Sequence, residues 1–173
     1  GGHQGAKYEE LFAPEHQLEA ILPPIKEERD KWGDFPIIAA GGIWDNNDIK
    51  NIMALGADAV QMGTRFIGTY ECDASDVLKQ VLLNAKEEDI VIVSSPVGYP
   101  GRAIKTNLIE TLEPNTKKIK CISNCVFPCE RGKGANRVGY CIADSLGDAY
   151  LGRLQSGLFF SGANGWRLKE IVH

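Results

Sequence analysis

The sequence predicts an α/β fold in which helices cover a parallel sheet. Two short apolar runs, residues 36–40 and 59–62, end in glycine turns at Gly41-Gly42 and Gly63-Thr64. The segment between them has apolar residues at helical spacing. Neither run alternates with polar residues, so we expect both strands to be buried on both faces, as in a parallel sheet.

The helix between the two runs has recognisable ends. Its polar start includes Asp45 and Asp48, which are residue types that cap helix N-termini. Gly56 follows its last apolar residue, and glycine readily adopts the positive φ found just after a helix. The unit therefore reads strand, glycine turn, helix, strand, glycine turn.

The same patterns assign the rest of the chain in order. We expect residues 1–5 to be a loop, and residues 8–32 to be largely helical with a kink or restart at Pro23-Pro24, because proline removes a backbone donor. Periodicity and turn residues then predict helices over 75–85, 102–112, 140–151 and 166–173, and strands over 90–93 and 158–160.

Both glycine turns follow the carboxyl ends of strands, where α/β proteins place their sites. One interpretation is that the amides of Gly42, Gly63 and Thr64 bind one phosphate, assisted by the following helix and the Thr64 hydroxyl. The other is that the glycines only make tight turns, and the spacing does not decide between them. The small-residue turn at 161–165 also has two interpretations that the sequence does not decide between. It could form a third wall of the pocket, or it could simply lead into a helix.

Several stretches resemble one family. AAGGI at residues 39–43 and GADAVQMGTRF at residues 56–66 resemble the flavin-binding segment of the nitronate monooxygenases, formerly called 2-nitropropane dioxygenases. The flavin-dependent enoyl-acyl-carrier-protein reductases share this segment. The opening GGHQG, residues 94–103, 139–143 and 157–162 also resemble the family.

The resemblance implies the C-terminal portion, about strands 6–8, of a TIM (β/α)8 barrel. The 173 residues are too few for a complete barrel, which needs roughly 200 or more. We therefore expect barrel elements with the FMN phosphate site over 1–112, a cysteine-bearing insertion over 113–139, and the last helix, strand and helix over 140–173. Activity would then need the N-terminal half of the barrel as partner, with a homodimer as a further expectation.

The resemblance also implies function and site. It implies an FMN-dependent oxidoreductase that oxidises alkyl nitronates or nitroalkanes with dioxygen, with His3 as the catalytic base. The alternative to a catalytic role is that His3, which lies near the start of the sequence, is disordered. The residues implied to hold FMN are Gly1, Gly2, Gly41, Gly42, Gln61, Met62, Gly63 and Thr64.

Three other functions stay open. The first is a reductase that passes hydride from NAD(P)H through FMN to an enoyl thioester. The second is a non-catalytic phosphate-binding fragment or module, and the third is a phosphate-binding barrel enzyme without flavin. Arg65 fits either an anion contact or a structural ion pair, and we favour the ion pair.

Four cysteines gather late in the chain, at Cys121, Cys125, Cys129 and Cys141. They fit a metal or iron–sulfur site, a redox-labile cluster, or ordinary reduced thiols. Because the usual C-x2-C pairs are absent, we favour plain thiols and assign no metal.

Charge and hydropathy exclude several classes of partner. The net charge is −4, with acidic and basic residues mixed, which argues against nucleic-acid binding. No apolar run approaches the roughly 18 residues that a membrane span requires. We expect a cytoplasmic protein that acts on a small molecule.

Overall fold

The computed structural model describes residues 2–5, 7–112, 125–126 and 139–173. Its strands are β1 (Gly2–His3), β2 (Ile38–Ala40), β3 (Ala59–Gln61), β4 (Ile90–Val93) and β5 (Gly101–Ile104). Its α-helices are α1 (Leu18–Trp32), α2 (Asn46–Ala54), α3 (Thr64–Ile67), α4 (Asp76–Asn84), α5 (Asn107–Glu110) and α6 (Ile142–Tyr150). Short 3-10 helices lie at Tyr8–Glu10, Pro14–His16, Glu87–Asp89 and Gly165–Arg167.

The strands form two sheets. β2 and β3 pair in parallel, with Ile38 opposite Ala59. β1, β5 and β4 form an antiparallel sheet with β5 in the centre. The α/β class is confirmed, but the described strands do not close into a barrel, and β2–β3 is the only parallel pair of strands among them.

The predicted β2–α2–β3 unit is present. Asp45 caps α2 by accepting hydrogen bonds from the amides of Asn47 and Asp48, and the Asp48 carboxylate accepts from the Asp45 amide in return. This reciprocal capping fixes where α2 begins. Gly56 follows α2 with φ of 109°, as the sequence predicted.

The prediction that both strands are buried on both faces is wrong for β2, and it is wrong for β3 as well, because Ala59 and Gln61 are exposed. Ala39 is buried against Leu22 of α1 and Ile52 of α2, whereas Ile38 points the other way and is 62 % exposed. Because successive strand residues face opposite sides, helices packed on one face leave the other open. The open face of β2 therefore has no cover within the described residues.

The segment from Ile90 to Ile104 is a hairpin, not a strand followed by a helix. Strand 90–93 is confirmed as β4, but Arg102, Ala103 and Ile104 belong to β5, where a helix over 102–112 was predicted. Pairing with β4 fully buries Ala103, and this non-local contact outweighs local helix preference. The helix begins only at α5.

Of the remaining predicted elements, two helices are confirmed and three elements differ from the prediction. Helices 75–85 and 140–151 are confirmed as α4 and α6, and the Ser75 hydroxyl accepts from the Leu78 amide to cap α4. The predicted loop at the N-terminus instead holds β1, because Gly2 and His3 pair with β5. The expected helix 166–173 is reduced to one 3-10 turn, after which Val172 forms a bridge with Thr69. Strand 158–160 is reduced to a bridge between Phe160 and Ala103.

Helix α1 runs through both prolines without a restart. Pro23 and Pro24 leave the carbonyls of Glu19 and Ala20 without an intrahelical donor. All four residues are exposed, so water can satisfy these carbonyls, while Leu22 on the opposite side is buried in the core.

No helix in the part of the chain that the structure describes has both the length and the apolar character needed to cross a membrane.

Candidate functional site

A cavity of about 380 Å³ lies where three turns meet. The first turn joins β2 to α2, the second joins β3 to α3, and the third precedes the 3-10 helix Gly165–Arg167. The lining residues are Gln4, Gly5, and residues 40–44, 61–65 and 162–165. The two predicted glycine turns therefore face one space, and the turn at 161–165 forms its third wall.

Three glycines leave this cavity open. Apart from its chain neighbours, a Cβ atom placed on Gly41, Gly42 or Gly63 would meet no atom of the described residues within 4 Å. Gly41 and Gly42 also have φ of 107° and 71°, a conformation that other residues rarely adopt. Gly63 has φ of −111°, so neither its conformation nor its protein neighbours require glycine there. Close approach of a ligand is a physical reason for glycine at this position.

The two helices beside the cavity differ in their free amides. At α2, the amides of Asn47 and Asp48 donate to Asp45, and those of Trp44 and Asp45 donate to Asp48. These four amides at the start of α2 are therefore bound by the carboxylates of Asp45 and Asp48. At the second turn, the amides of Gly63 and Thr64 donate to no described residue.

Three polar contacts hold the third turn against the other two. The Gly162 amide donates to the Thr64 hydroxyl oxygen at 2.8 Å, which leaves the hydroxyl proton of Thr64 available to another acceptor. The side-chain amide of Asn164 donates to the Gly42 carbonyl. Arg167 donates from one guanidinium nitrogen to Asp45 at 2.6 Å and from the other to Asp48 at 2.8 Å.

The environment of Asp48 keeps its carboxylate ionised. Burial acts to raise the pKa of Asp48, but hydrogen bonds from the amides of Asp45 and Trp44, together with the Arg167 guanidinium, outweigh burial and lower the pKa. The same carboxylate thus serves the α2 cap and the contact with the third turn.

The ion pair that we favour for Arg65 is not formed with any described residue. Among the described residues no carboxylate pairs with its guanidinium, which instead lies over the Trp44 ring at 5.6 Å from the ring centroid. Its Nη1 atom is buried and has no hydrogen-bond partner in the described part of the chain.

The N-terminal segment also reaches the cavity. Gly2 and His3 form β1, the His3 backbone lies opposite Gly101, and the following Gln4 and Gly5 line the cavity. Gly2 does not line it, and Gly1 lies outside the described residues. The role of His3 stays a prediction.

Only two of the four predicted cysteines lie within the described residues. Cys125 is exposed and Cys141 is partly buried, and both are free thiols. Cys121 and Cys129 lie outside the described residues, as does most of the predicted insertion. In the described ranges no three His, Cys, Asp or Glu residues are arranged to hold a metal.

Sequence reasoning did not predict Gln4, Trp44, Asn164 or Arg167 at the site. Asn164 lies in the small-residue turn that was considered as a third wall. For Arg167 the sequence carries no local signal, because its partner Asp45 is 122 positions away.

Comparison with known proteins decides the family. The family model described as nitronate monooxygenase matches residues 1–173. The chain belongs to the nitronate monooxygenase family. It is 34 % identical over 117 residues to a probable nitronate monooxygenase of Staphylococcus aureus strain Newman, and 33 % identical to that of strain JH9. The match covers 65 % of this chain but only 31 % of each relative, so the chain spans about a third of their length.

Two solved structures share the fold. FabK from Thermotoga maritima is 28 % identical with a TM-score of 0.70, and the match covers 99 % of this chain and 47 % of FabK. A nitroalkane oxidase from Streptomyces ansochromogenes is 23 % identical with a TM-score of 0.65, over 99 % of this chain and 45 % of the oxidase. This nitronate monooxygenase family chain thus aligns with less than half of each structure.

Proposed function

We propose that the chain supplies the phosphate end of the FMN site in an oxidoreductase that oxidises alkyl nitronates or nitroalkanes with dioxygen. The observation that carries the proposal is the cavity itself, because two strand-end turns with open glycines face one space in a member of this family, and the second turn also has free amides. The whole protein's substrate and activity belong to the proposal, since the chain covers 31 % of its curated relatives.

The donor set of the cavity suits a phosphate group. Phosphate oxygens accept hydrogen bonds, and the second turn offers the amides of Gly63 and Thr64 together with the remaining hydroxyl proton of Thr64. The cationic Arg65 lines the same wall. Gly41, Gly42 and Gln61 would lie along the ligand, while Met62 also packs against the apolar cluster under the sheet.

In this proposal His3 handles the proton of the substrate. A nitroalkane becomes a nitronate when the carbon beside the nitro group loses a proton, and a neutral imidazole suits that transfer near neutral pH. Bound FMN would supply the redox chemistry that couples the nitronate to dioxygen. The residues of this chain would bind FMN through its phosphate and keep the substrate carbon beside His3.

The first test is the visible absorption spectrum of the full-length protein, with the released cofactor identified by mass. We expect a flavin spectrum and release of FMN. Oxygen consumption with a nitroalkane and with its pre-formed nitronate then tests the activity. Replacement His3→Asn should lower nitroalkane turnover by about 100- to 10,000-fold, the usual contribution of a general base, with the flavin spectrum unchanged. His173→Asn, which alters an exposed histidine beside Tyr70, is the control.

Each alternative function has its own outcome in these assays. NAD(P)H oxidation that depends on an enoyl thioester, without nitronate turnover, would replace the proposal by the reductase. A colourless protein that also fails to bind added FMN would exclude both flavin functions. A non-catalytic module or a flavin-free phosphate enzyme would then remain.

A further inference from the structure

We infer that Arg102 binds the negatively charged oxygens of the nitronate substrate in a second cavity, which adjoins the cavity between the three turns. This inference rests on the proposed function and assigns the placement of the substrate to one residue. The second cavity measures about 590 Å³, a volume in the range of small-molecule sites. Arg102 lines this second cavity and does not line the cavity between the turns.

The two cavities share a wall. The lining residues common to both are Gln4, Gly5, residues 40–43, Ala163 and Asn164. A molecule in the second cavity would therefore lie beside a cofactor held at the three turns.

Strand β5 holds the backbone of Arg102 in the middle of the antiparallel sheet. Arg102 lies opposite Ile92 of β4 on one side and opposite Gly2 of β1 on the other. Its carbonyl also accepts a hydrogen bond from the Ser161 amide at 3.1 Å. The other three residues of β5 are uncharged and buried, so Arg102 places the only charge of this strand. Because sites on strands are held more precisely than sites on loops, this position suits a residue that orients a ligand.

The Arg102 guanidinium has no counter-ion among the described residues. None of the described carboxylates lies within ion-pair distance of it. The residue is half-buried, and this burial lowers the pKa of Arg102 with no neighbouring negative charge to oppose the effect. A partly desolvated cation without a partner is unfavourable, and an anionic ligand would complete it.

Three acidic residues also line the second cavity, and none of them pairs with Arg102. Asp48 is bound by Arg167 at 2.8 Å, and Glu10 accepts a hydrogen bond from a backbone amide of its own segment at 2.9 Å. Glu19 is exposed in the first turn of α1, where water and salt screen its charge. These carboxylates belong to α2 and to the segment that leads into α1. An anionic group in the cavity is therefore attracted to the β5 wall rather than to the others.

A nitronate matches the donor geometry of arginine. Its negative charge is shared by two oxygens in one plane, as in a carboxylate. The planar guanidinium donates two parallel N–H bonds to such a pair of oxygens. Lysine keeps the charge but not this fork, so it should replace Arg102 only in part.

The test measures oxygen consumption by the full-length, FMN-loaded protein with the pre-formed anion of nitroethane. Arg102→Met removes the charge and the fork, and Arg102→Lys keeps the charge alone. Lys105→Met is the matched control, because Lys105 directly follows β5, is exposed and lines neither cavity. We expect Arg102→Met to raise KM for the nitronate by about 10- to 100-fold, the usual effect of losing hydrogen bonds to a charged group, with FMN affinity unchanged. Arg102→Lys should recover part of the loss, and Lys105→Met should match the wild type.

Competition by two small ligands separates charge from shape. Propionate carries two anionic oxygens, and propanamide has nearly the same shape without the charge. Propionate should inhibit the wild type more strongly than propanamide does, and Arg102→Met should abolish this difference.

Two results would overturn the inference and leave the proposed function intact. The first is wild-type nitronate turnover that propionate inhibits no better than propanamide, a result that requires no variant to fold. The second is Arg102→Met with an unchanged KM and an unchanged preference for propionate. A wild-type protein that binds FMN but does not oxidise the nitronate would overturn both the inference and the proposed function.

Discussion

Replacement Gly63→Ala tests whether glycine at this position is required for ligand binding or for the stability of the folded protein. Gly63 has φ of −111° and ψ of −66°, outside the positive-φ region that favours glycine, and no atom beyond its chain neighbours lies within 4 Å of the new Cβ. The folded protein should therefore tolerate alanine, and its unfolding free energy should rise by about 0.4–1 kcal/mol through loss of unfolded-state entropy. The same methyl would stand in the space where a phosphate approaches the Gly63 amide.

The predicted effect on cofactor binding is large and specific. Loss of a hydrogen bond between an amide and a charged phosphate costs about 1.5–3 kcal/mol, which is about 10- to 100-fold in FMN affinity. Riboflavin affinity should be almost unchanged, because riboflavin places no phosphate there. The assay is fluorescence titration with both flavins, together with thermal unfolding of the flavin-free protein.

Gly165→Ala is the contrasting variant. A Cβ there would lie 2.0 Å from the Ser161 hydroxyl oxygen and 3.1 Å from a Leu82 methyl, so the change should overpack the core and lower stability by about 1–3 kcal/mol. If Gly63→Ala lowers the melting temperature as Gly165→Ala does, the protein itself needs glycine at position 63. If FMN and riboflavin affinities fall together, or if FMN affinity does not change, no phosphate approaches the Gly63 amide.

Three further predictions concern the contacts between the turns. Thr64→Val should weaken FMN binding by about 10-fold and also destabilise the protein, because the Gly162 amide loses its acceptor; flavin titration and thermal unfolding report the two effects. Arg167→Met should weaken FMN more than Arg167→Lys does, by leaving Asp45 and Asp48 unneutralised beside the cavity, and equal affinities for the two variants would contradict this. Because the folded state lowers the pKa of Asp48, its contribution to stability should be complete above about pH 4 and lost as pH falls through the lower folded-state pKa. Asp48→Asn should flatten unfolding free energy against pH in that acidic range, and an unchanged curve would exclude the contribution.

Local signals in the sequence predicted the elements that carry the site. Asp45 and Asp48 mark the start of α2 because capping joins residues three positions apart, and Gly56 marks its end because one backbone conformation suits glycine. The two glycine turns follow from the same unit. That both turns face one cavity also follows from the parallel pairing of β2 and β3, since parallel strands end at the same edge.

Contacts between distant residues were beyond local reasoning. Residues 102–104 read as helical, yet pairing with β4 makes them the central strand of a sheet. No local sequence pattern predicts that Arg167 pairs with Asp45, although their ion pair joins two walls of the cavity. The continuous apolar run at 36–40 suggested burial on both faces, but exposure depends on which elements cover the strand, and Ile38 is uncovered among the described residues.

The pairing of Arg65 also depends on contacts between residues that are distant in the sequence. Sequence statistics favour a structural ion pair for such an arginine, because charged residues are rarely buried without a partner. The structure instead gives the acidic neighbours to Arg167 and leaves Arg65 over Trp44. Only the three-dimensional arrangement shows that Arg167, not Arg65, pairs with these carboxylates.

A crystal structure of the full-length protein with FMN would show directly where the cofactor phosphate binds. We expect the FMN phosphate at the meeting point of the three turns, within hydrogen-bonding distance of the Gly63 and Thr64 amides and beside the Arg65 guanidinium. A phosphate bound elsewhere, with these amides facing solvent or another protein segment, would contradict it.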